Sequence, residues 1–149
     1  MKFSELDVAK HRDGSKIVEQ QFVNRWSPRS MSGQALSKDQ MAGLVEAARW
    51  SPSCFNLQPW RFIYSLKDDD YWERFLGLLI DVNRLWAERA GAMVILLSID
   101  RPSESEDLSP TAAFDTGSAW MSLALQAQTM GLVSHAMWGF HHELSLIHI

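Results

Sequence analysis

The sequence predicts an α+β domain with a central sheet flanked by helices. Residues 60–66 alternate, with Trp60, Phe62, Tyr64 and Leu66 on one face and Arg61, Ile63 and Ser65 on the other, which is a strand pattern. Residues 92–99 form a continuous apolar run, which suits a strand covered on both faces. Helical periodicities surround these runs in the order α, α, β, α, α, β, long α, β, which is not a strict βαβ alternation. A length of 149 residues suits one domain, taken as 1–149.

The first helix is expected over 15–24, with Ile17, Val18 and Phe22 near one face. RWSPRSMSG then reads as a loop by composition. Ser37 with Gln40 three residues on forms a capping-box pattern. The helix it opens runs through Met41, Leu44, Val45 and Ala48, and Pro52 ends it by disfavouring helical geometry at the residue before. After the 60–66 strand, residues 68–70 supply three acidic side chains that suit the positive end of a helix dipole. Tyr71, Phe75, Leu78 and Leu79 give that helix its expected apolar side, and another helix follows over 82–90. Residues 101–108 read as an acidic loop, and Ser109–Pro110 as an N-cap followed by proline at the first helical position. The long segment to Met130 is small and apolar on most sides, which predicts a helix buried nearly all round, at the centre of the fold or in a subunit interface. Gly131 suits its left-handed cap, and 132–137 is the last expected strand.

Composition narrows the partners. Hydrophobic residues make up 46% and charged residues 21%, with a net charge of −4, which disfavours a nucleic-acid partner. The single cysteine, Cys54, excludes an intrachain disulfide and suits a reducing, cytoplasmic setting. MKFSELDVAK carries no signal-peptide apolar core, and no apolar run is long enough to span a bilayer. Seven Trp and seven Phe suit core packing first, and flat surfaces for a planar ligand second.

Four groups of residues have chemistry to offer. Arg25, Ser27 and Arg29 alternate, so in an extended loop they point one way and make an anion cradle; the same pattern also suits a solvated loop. Asn56 and Gln58 alternate between Pro52 and Pro59. Two amides in a braced loop suit a neutral heterocycle, or equally a loop that bonds its own backbone. Asn83 lies on a helix, where an exposed residue is the plain expectation, and Trp138, Gly139 and Phe140 suit a turn or a close backbone approach. His135, His141 and His142 have no spacing that supports a metal site. Cys54 has no His or Asp partner in sequence, and no G-x-G-x-x-G or G-x-S-x-G pattern is present.

Taken together, these segments resemble the nitroreductase family of FMN-dependent flavoproteins over residues 15–142. RWSPRS resembles the family's R-x-S-x-R/K signature, and SPSCFNLQPWRF its P-S-x-x-N-x-Q-P-W-x-F signature. DTGSAWMSLALQAQTMGL resembles the central dimer helix, and AMWGF the segment whose backbone lies over the flavin. The resemblance implies a homodimer that binds FMN, takes electrons from NADH or NADPH and reduces nitroaromatics, quinones or similar small acceptors by a ping-pong reaction, without a metal. It implies that Arg25 and Ser27 hold the phosphate, that Arg29 lies near the pyrimidine edge, and that Asn83 bonds the ribityl chain or ring edge. The Trp138–Gly139 backbone would face flavin N5 and O4, while Pro52, Ser53, Cys54, Asn56 and Gln58 form a segment reaching the flavin of the other subunit. The end, ELSLIHI, does not resemble the family tail, which adds a strand and a basic pair. Residues 143–149 are therefore expected to be atypical or truncated, with the phosphate site incomplete. A flavin-free core that only dimerises, and family members with other flavin chemistry such as dehalogenation, enoate reduction or flavin fragmentation, stand as alternatives.

Overall fold

The computed structural model describes residues 11–12, 17–100 and 109–144. The elements run α1 (Gln20–Asn24), α2 (Lys38–Arg49), β1 (Trp60–Leu66), α3 (Trp72–Gly77), α4 (Asp81–Ala87), β2 (Ala92–Ser98) and α5 (Ala112–Thr129), with a 3-10 turn at Cys54–Asn56. The acidic 101–108 stretch and residues 145–149 lie outside the described residues.

β1 and β2 pair antiparallel from Trp60↔Ser98 to Leu66↔Ala92, and among the described residues the sheet has these two strands. One face carries Trp60, Phe62 and Leu96. It packs on Leu44 and Ala48 of α2 and on Ala119, Leu123 and Ala127 of α5. The opposite face carries Met93, which packs with Trp72 and Leu76 of α3. Its register partner Ser65 is fully buried. The expected cover on both faces of β2 is thus only partial: Met93 is buried and Leu96 packs on the other face, but Val94 and Ser98 are exposed, and among the described residues β2 has a strand neighbour on one side alone.

α2 begins as the sequence predicts. Ser37 Oγ accepts from the Gln40 N–H at 3.1 Å, and Gln40 Oε1 accepts from the Ser37 N–H at 2.9 Å. This reciprocal pair satisfies two orphan donors of the first turn. Ser37→Ala is expected to lower stability by about 1 kcal/mol, measured as a shift in the urea midpoint with an unchanged slope.

α5 ends on a Schellman motif. Gly131 takes φ +71°, its N–H reaches Gln128 O at 3.0 Å, and the Leu132 N–H reaches Ala127 O at 2.8 Å. Within one chain α5 is not buried all round. Ala112, Asp115, Thr116, Ala119, Leu123, Ala124 and Ala127 face the core, while Phe114, Gly117 and Met121 form an exposed stripe.

Other expectations are corrected. α1 has five residues rather than ten, and residues 13–16 lie outside the described residues. Ile17, Val18 and Phe22 are exposed, so the expected apolar face is not buried among the described residues. Residues 68–70 form a turn, in which Asp69 Oδ2 accepts from the Leu66 N–H. The helix starts at Trp72, with Trp72 and Leu76 buried and Tyr71 outside. α4 spans Asp81–Ala87 and leaves Val82 and Leu85 exposed. Ser109 is not the N-cap of α5. Thr111 holds that position, because the Ala112 N–H bonds back to Ser109 O and makes a turn of the preceding residues. Residues 132–137 form no strand: among the described residues the ladder pairing nearest to them is the single bridge Leu79↔Phe140. Beyond them, Gly139 O and the His141 N–H bond to the 78–80 connection between two helices rather than to a sheet edge.

Candidate functional site

The loop after α2 holds three non-glycine residues at positive φ: Phe55 (48°), Asn56 (58°) and Gln58 (48°). Each such residue is strained by roughly 1–3 kcal/mol, less for Asn, and persists only where its surroundings hold it. Three anchors hold this loop. Asp115 Oδ2 accepts from the Cys54 N–H at 3.1 Å. Ser53 Oγ accepts from the Gln58 N–H at 3.0 Å. Ser51 Oγ lies 2.7 Å from Ser122 Oγ and donates to Ser118 O. The loop is thereby fixed to α5. Pro52, Phe55 and Asn56 are exposed and Gln58 is half-buried. Neither the Asn56 nor the Gln58 side-chain amide has a hydrogen-bond partner among the described residues, so the amides do not serve the loop's own backbone.

A second group forms on the other elements. Arg25 Nη1 lies 3.4 Å from Ser27 Oγ, which places this guanidinium and hydroxyl side by side. Pro28 between them and Arg29 is fully buried and pins the loop, while Arg29 is exposed with no partner among the described residues. Asn83 is half-buried rather than an exposed helix residue. Its Nδ2 donates to Gly139 O at 2.9 Å, and its Oδ1 accepts from Trp86 Nε1 at 3.3 Å. Gly139 is needed for this contact: an added Cβ would overlap Asn83 Nδ2 and come within 2.9 Å of Ile80 Cδ1. Gly139→Ala is expected to push the segment off α4 and destabilise the fold by about 1–3 kcal/mol, read by thermal unfolding. Neither the Trp138 nor the Gly139 N–H is taken by a partner among the described residues, so both are open donors. Trp138 is exposed and stacks on His142, with ring centroids 4.4 Å apart.

Arg25 beside Ser27, with Arg29 on the same loop, and Asn83 against Gly139, with Trp138 adjoining, make up one group whose two parts are linked through Pro28, His135 and Trp86. The structure sets Pro52, Ser53, Cys54, Asn56 and Gln58 in another. Among the described residues no hydrogen bond joins the two groups within one chain. Asp115, Trp86 and His135 are missed by sequence reasoning. Asp115 had a legible sign, being the only charged residue in the eighteen of α5. It is 4% exposed and accepts from both Cys54 N–H and Thr111 Oγ1. Among the described residues no cluster of His, Cys, Asp and Glu is arranged for a metal ion, and no helix is long and apolar enough to cross a membrane.

The sequence model of the nitroreductase family matches residues 23–84, from the end of α1 through Asn83. A solved structure described as an oxidoreductase containing FMN is 38% identical, with a TM-score of 0.84, over 89% of this chain and 68% of that one. The chain belongs to the nitroreductase family. Two further members of this fold were solved with FMN and described as candidate nitroreductases. The Desulfovibrio desulfuricans protein is 22% identical (TM-score 0.62, covering 74% of this chain and 62% of that one). The Exiguobacterium sibiricum 255-15 protein is 21% identical (TM-score 0.69, covering 83% and 75%). Both show that this nitroreductase-family chain has the fold. The comparison with curated proteins finds no match. This family member spans 61–68% of the length of the first four solved relatives.

Proposed function

We propose that the chain is an FMN-dependent oxidoreductase that takes electrons from NADH or NADPH and reduces nitroaromatic, quinone or similar planar acceptors. The observation that carries this reading is the strained loop of 53–58, held by Asp115 and Ser53 while it leaves two amides unpaired. Backbone strain maintained by buried anchors, with open polar groups at its tip, is the design of a binding loop.

The donor set fits FMN. Arg25 and Ser27 suit the phosphate, and the unpartnered Arg29 suits the pyrimidine edge, where a fixed cation favours added electron density. Asn83 keeps one N–H and one lone pair for the ligand after its bonds to Gly139 and Trp86. The open N–H groups of Trp138 and Gly139 suit the acceptor atoms N5 and O4. FMN, when bound, supplies hydride acceptance and donation; the chain binds, orients and tunes it. Donor and acceptor then take turns at one exposed face, as a ping-pong reaction requires.

In this reading the two groups of residues meet around one ligand when a second copy of the chain brings its 52–58 segment across. The stripe of Phe114, Gly117 and Met121 on α5 supplies a face for that copy: Phe114 is 81% exposed, and no atom lies within 4 Å of a Cβ built on Gly117. A glycine with open space above it permits close backbone approach. The single free cysteine suits a cytoplasmic setting for such a dimer.

The test is a visible spectrum of purified protein after FMN is added and the excess removed, followed by anaerobic NADPH or NADH. A flavin band that bleaches is the expected result. Protein that stays colourless contradicts the reading.

A further inference from the structure

Two side chains without an assigned role tie the flavin-side segments together. His135 Nδ1 lies 3.0 Å from Pro28 O, in the middle of the Arg25–Ser27–Arg29 loop. A carbonyl oxygen only accepts, so Nδ1 carries the hydrogen. The same ring stacks on Trp86, with centroids 4.6 Å apart and planes tilted by 39°. Trp86 in turn donates to Asn83 Oδ1, and Asn83 donates to Gly139 O. A continuous series of contacts thus runs from the Pro28 carbonyl to the Gly139 carbonyl through three elements far apart in sequence.

We propose that His135 and Trp86 are positioning residues that lock the anion-binding loop, Asn83 and the Trp138–Gly139 backbone into one rigid half-site. This rests on the FMN reading, and it assigns roles to two residues that touch neither phosphate nor ring. Apart from this lock, the loop of Arg25 and Arg29 is held by the buried Pro28 ring and by Arg12, which donates to the Val23 and Arg25 carbonyls, while the preceding five-residue α1 buries no side chain of its own. A loop held before the ligand arrives loses less entropy on binding.

The test compares His135→Phe, which keeps a ring and removes the donor, with His135→Asn, which keeps a donor near the Nδ1 position and removes the ring. Trp86→Phe keeps the stacking ring and removes the indole N–H. FMN affinity is measured by flavin fluorescence. The flavin-free proteins are treated with trypsin, and cleavage after Arg29 is followed by mass spectrometry. Melting temperatures are taken for all. His135→Phe is expected to bind FMN roughly fivefold more weakly, the size of one hydrogen bond, and to be cut faster at Arg29. His135→Asn is expected to restore protection at Arg29 and to recover FMN affinity in part, since it keeps the bond to Pro28 but loses the contact with Trp86, even where the two variants melt alike. Trp86→Phe is expected to weaken FMN while Arg29 stays protected, and it carries the test with His135→Asn should His135→Phe fail to fold. Wild-type affinity and protection in His135→Phe, equal defects in the Phe and Asn variants, or wild-type affinity in Trp86→Phe overturn the assignment. Wild-type protein that takes up no FMN sinks the flavin reading instead, and cleavage at Arg29 in the flavin-free variants still decides the lock.

Discussion

Asp115→Ala is expected to release the 51–58 loop from α5, lower the unfolding free energy by about 2–4 kcal/mol, and abolish flavin retention. The carboxylate is 4% exposed and serves the Cys54 N–H and the Thr111 hydroxyl together. Truncation leaves a backbone N–H without its acceptor and a small void beside α5. It also removes one of the anchors that hold Phe55, Asn56 and Gln58 at positive φ. With the anchor gone, the strain of those residues is relieved by moving the loop, so the ligand-facing amides lose their places. Asp115→Asn separates the causes. The amide oxygen in the Oδ2 place still accepts from both the Cys54 N–H and the Thr111 hydroxyl but carries no charge, so the bonds weaken and the variant is expected to fall between wild type and Ala in both stability and flavin content. Thermal unfolding and the flavin-to-protein absorbance ratio make the measurement. A loop variant that melts early yet stays yellow contradicts the role given to the loop.

The paired substitution Arg25→Ala/Arg29→Ala is expected to do the opposite to the balance of effects. Arg29 is exposed without a partner among the described residues, and the bond of Arg25 to Ser27 is long at 3.4 Å. Removing both side chains is therefore expected to change stability by no more than about 0.5 kcal/mol. FMN affinity is expected to fall by roughly 3–6 kcal/mol, since the charge-assisted bonds of Arg25 to the phosphate and of Arg29 to the pyrimidine edge contribute about 1.5–3 kcal/mol each. The residual affinity is expected to depend weakly on salt, whereas wild-type binding weakens as salt screens the guanidinium groups. Isothermal titration with FMN at two ionic strengths reads both effects.

What was legible in the sequence follows from the range of each interaction. The capping box at Ser37 and Gln40, the alternation of β1 and the Gly131 cap are local patterns, and each appears as read. Residues 132–137 read as a strand by their place after the Gly131 cap, yet a strand also needs a neighbouring edge. The chain finds the 78–80 connection there instead, which no local pattern reveals. Helix α1 was overextended because Ile17 and Phe22 suggested an apolar face, while burial of that face depends on a surface outside it. The candidate site was legible as two clusters of side chains, Arg25–Arg29 and Asn56–Gln58. Their supports were not, because Asp115 lies 61 residues from Cys54, and His135 lies 107 from Pro28. Asn83 shows the same limit. Its helix periodicity pointed to solvent, but a glycine 56 residues on leaves room for its amide to reach a backbone carbonyl.

The most direct test of a flavin held between protomers mixes two broken chains. One carries Arg25→Ala/Arg29→Ala, the other Asn56→Ala/Gln58→Ala, and each alone is expected to be folded and colourless. Unfolded, mixed and refolded together at equal amounts, they are expected to regain about one quarter of the wild-type flavin, because half the dimers are mixed and each mixed dimer has one intact site. A colourless mixture of folded dimers, or a mixture that stays monomeric while wild-type protein alone is yellow, contradicts the shared site.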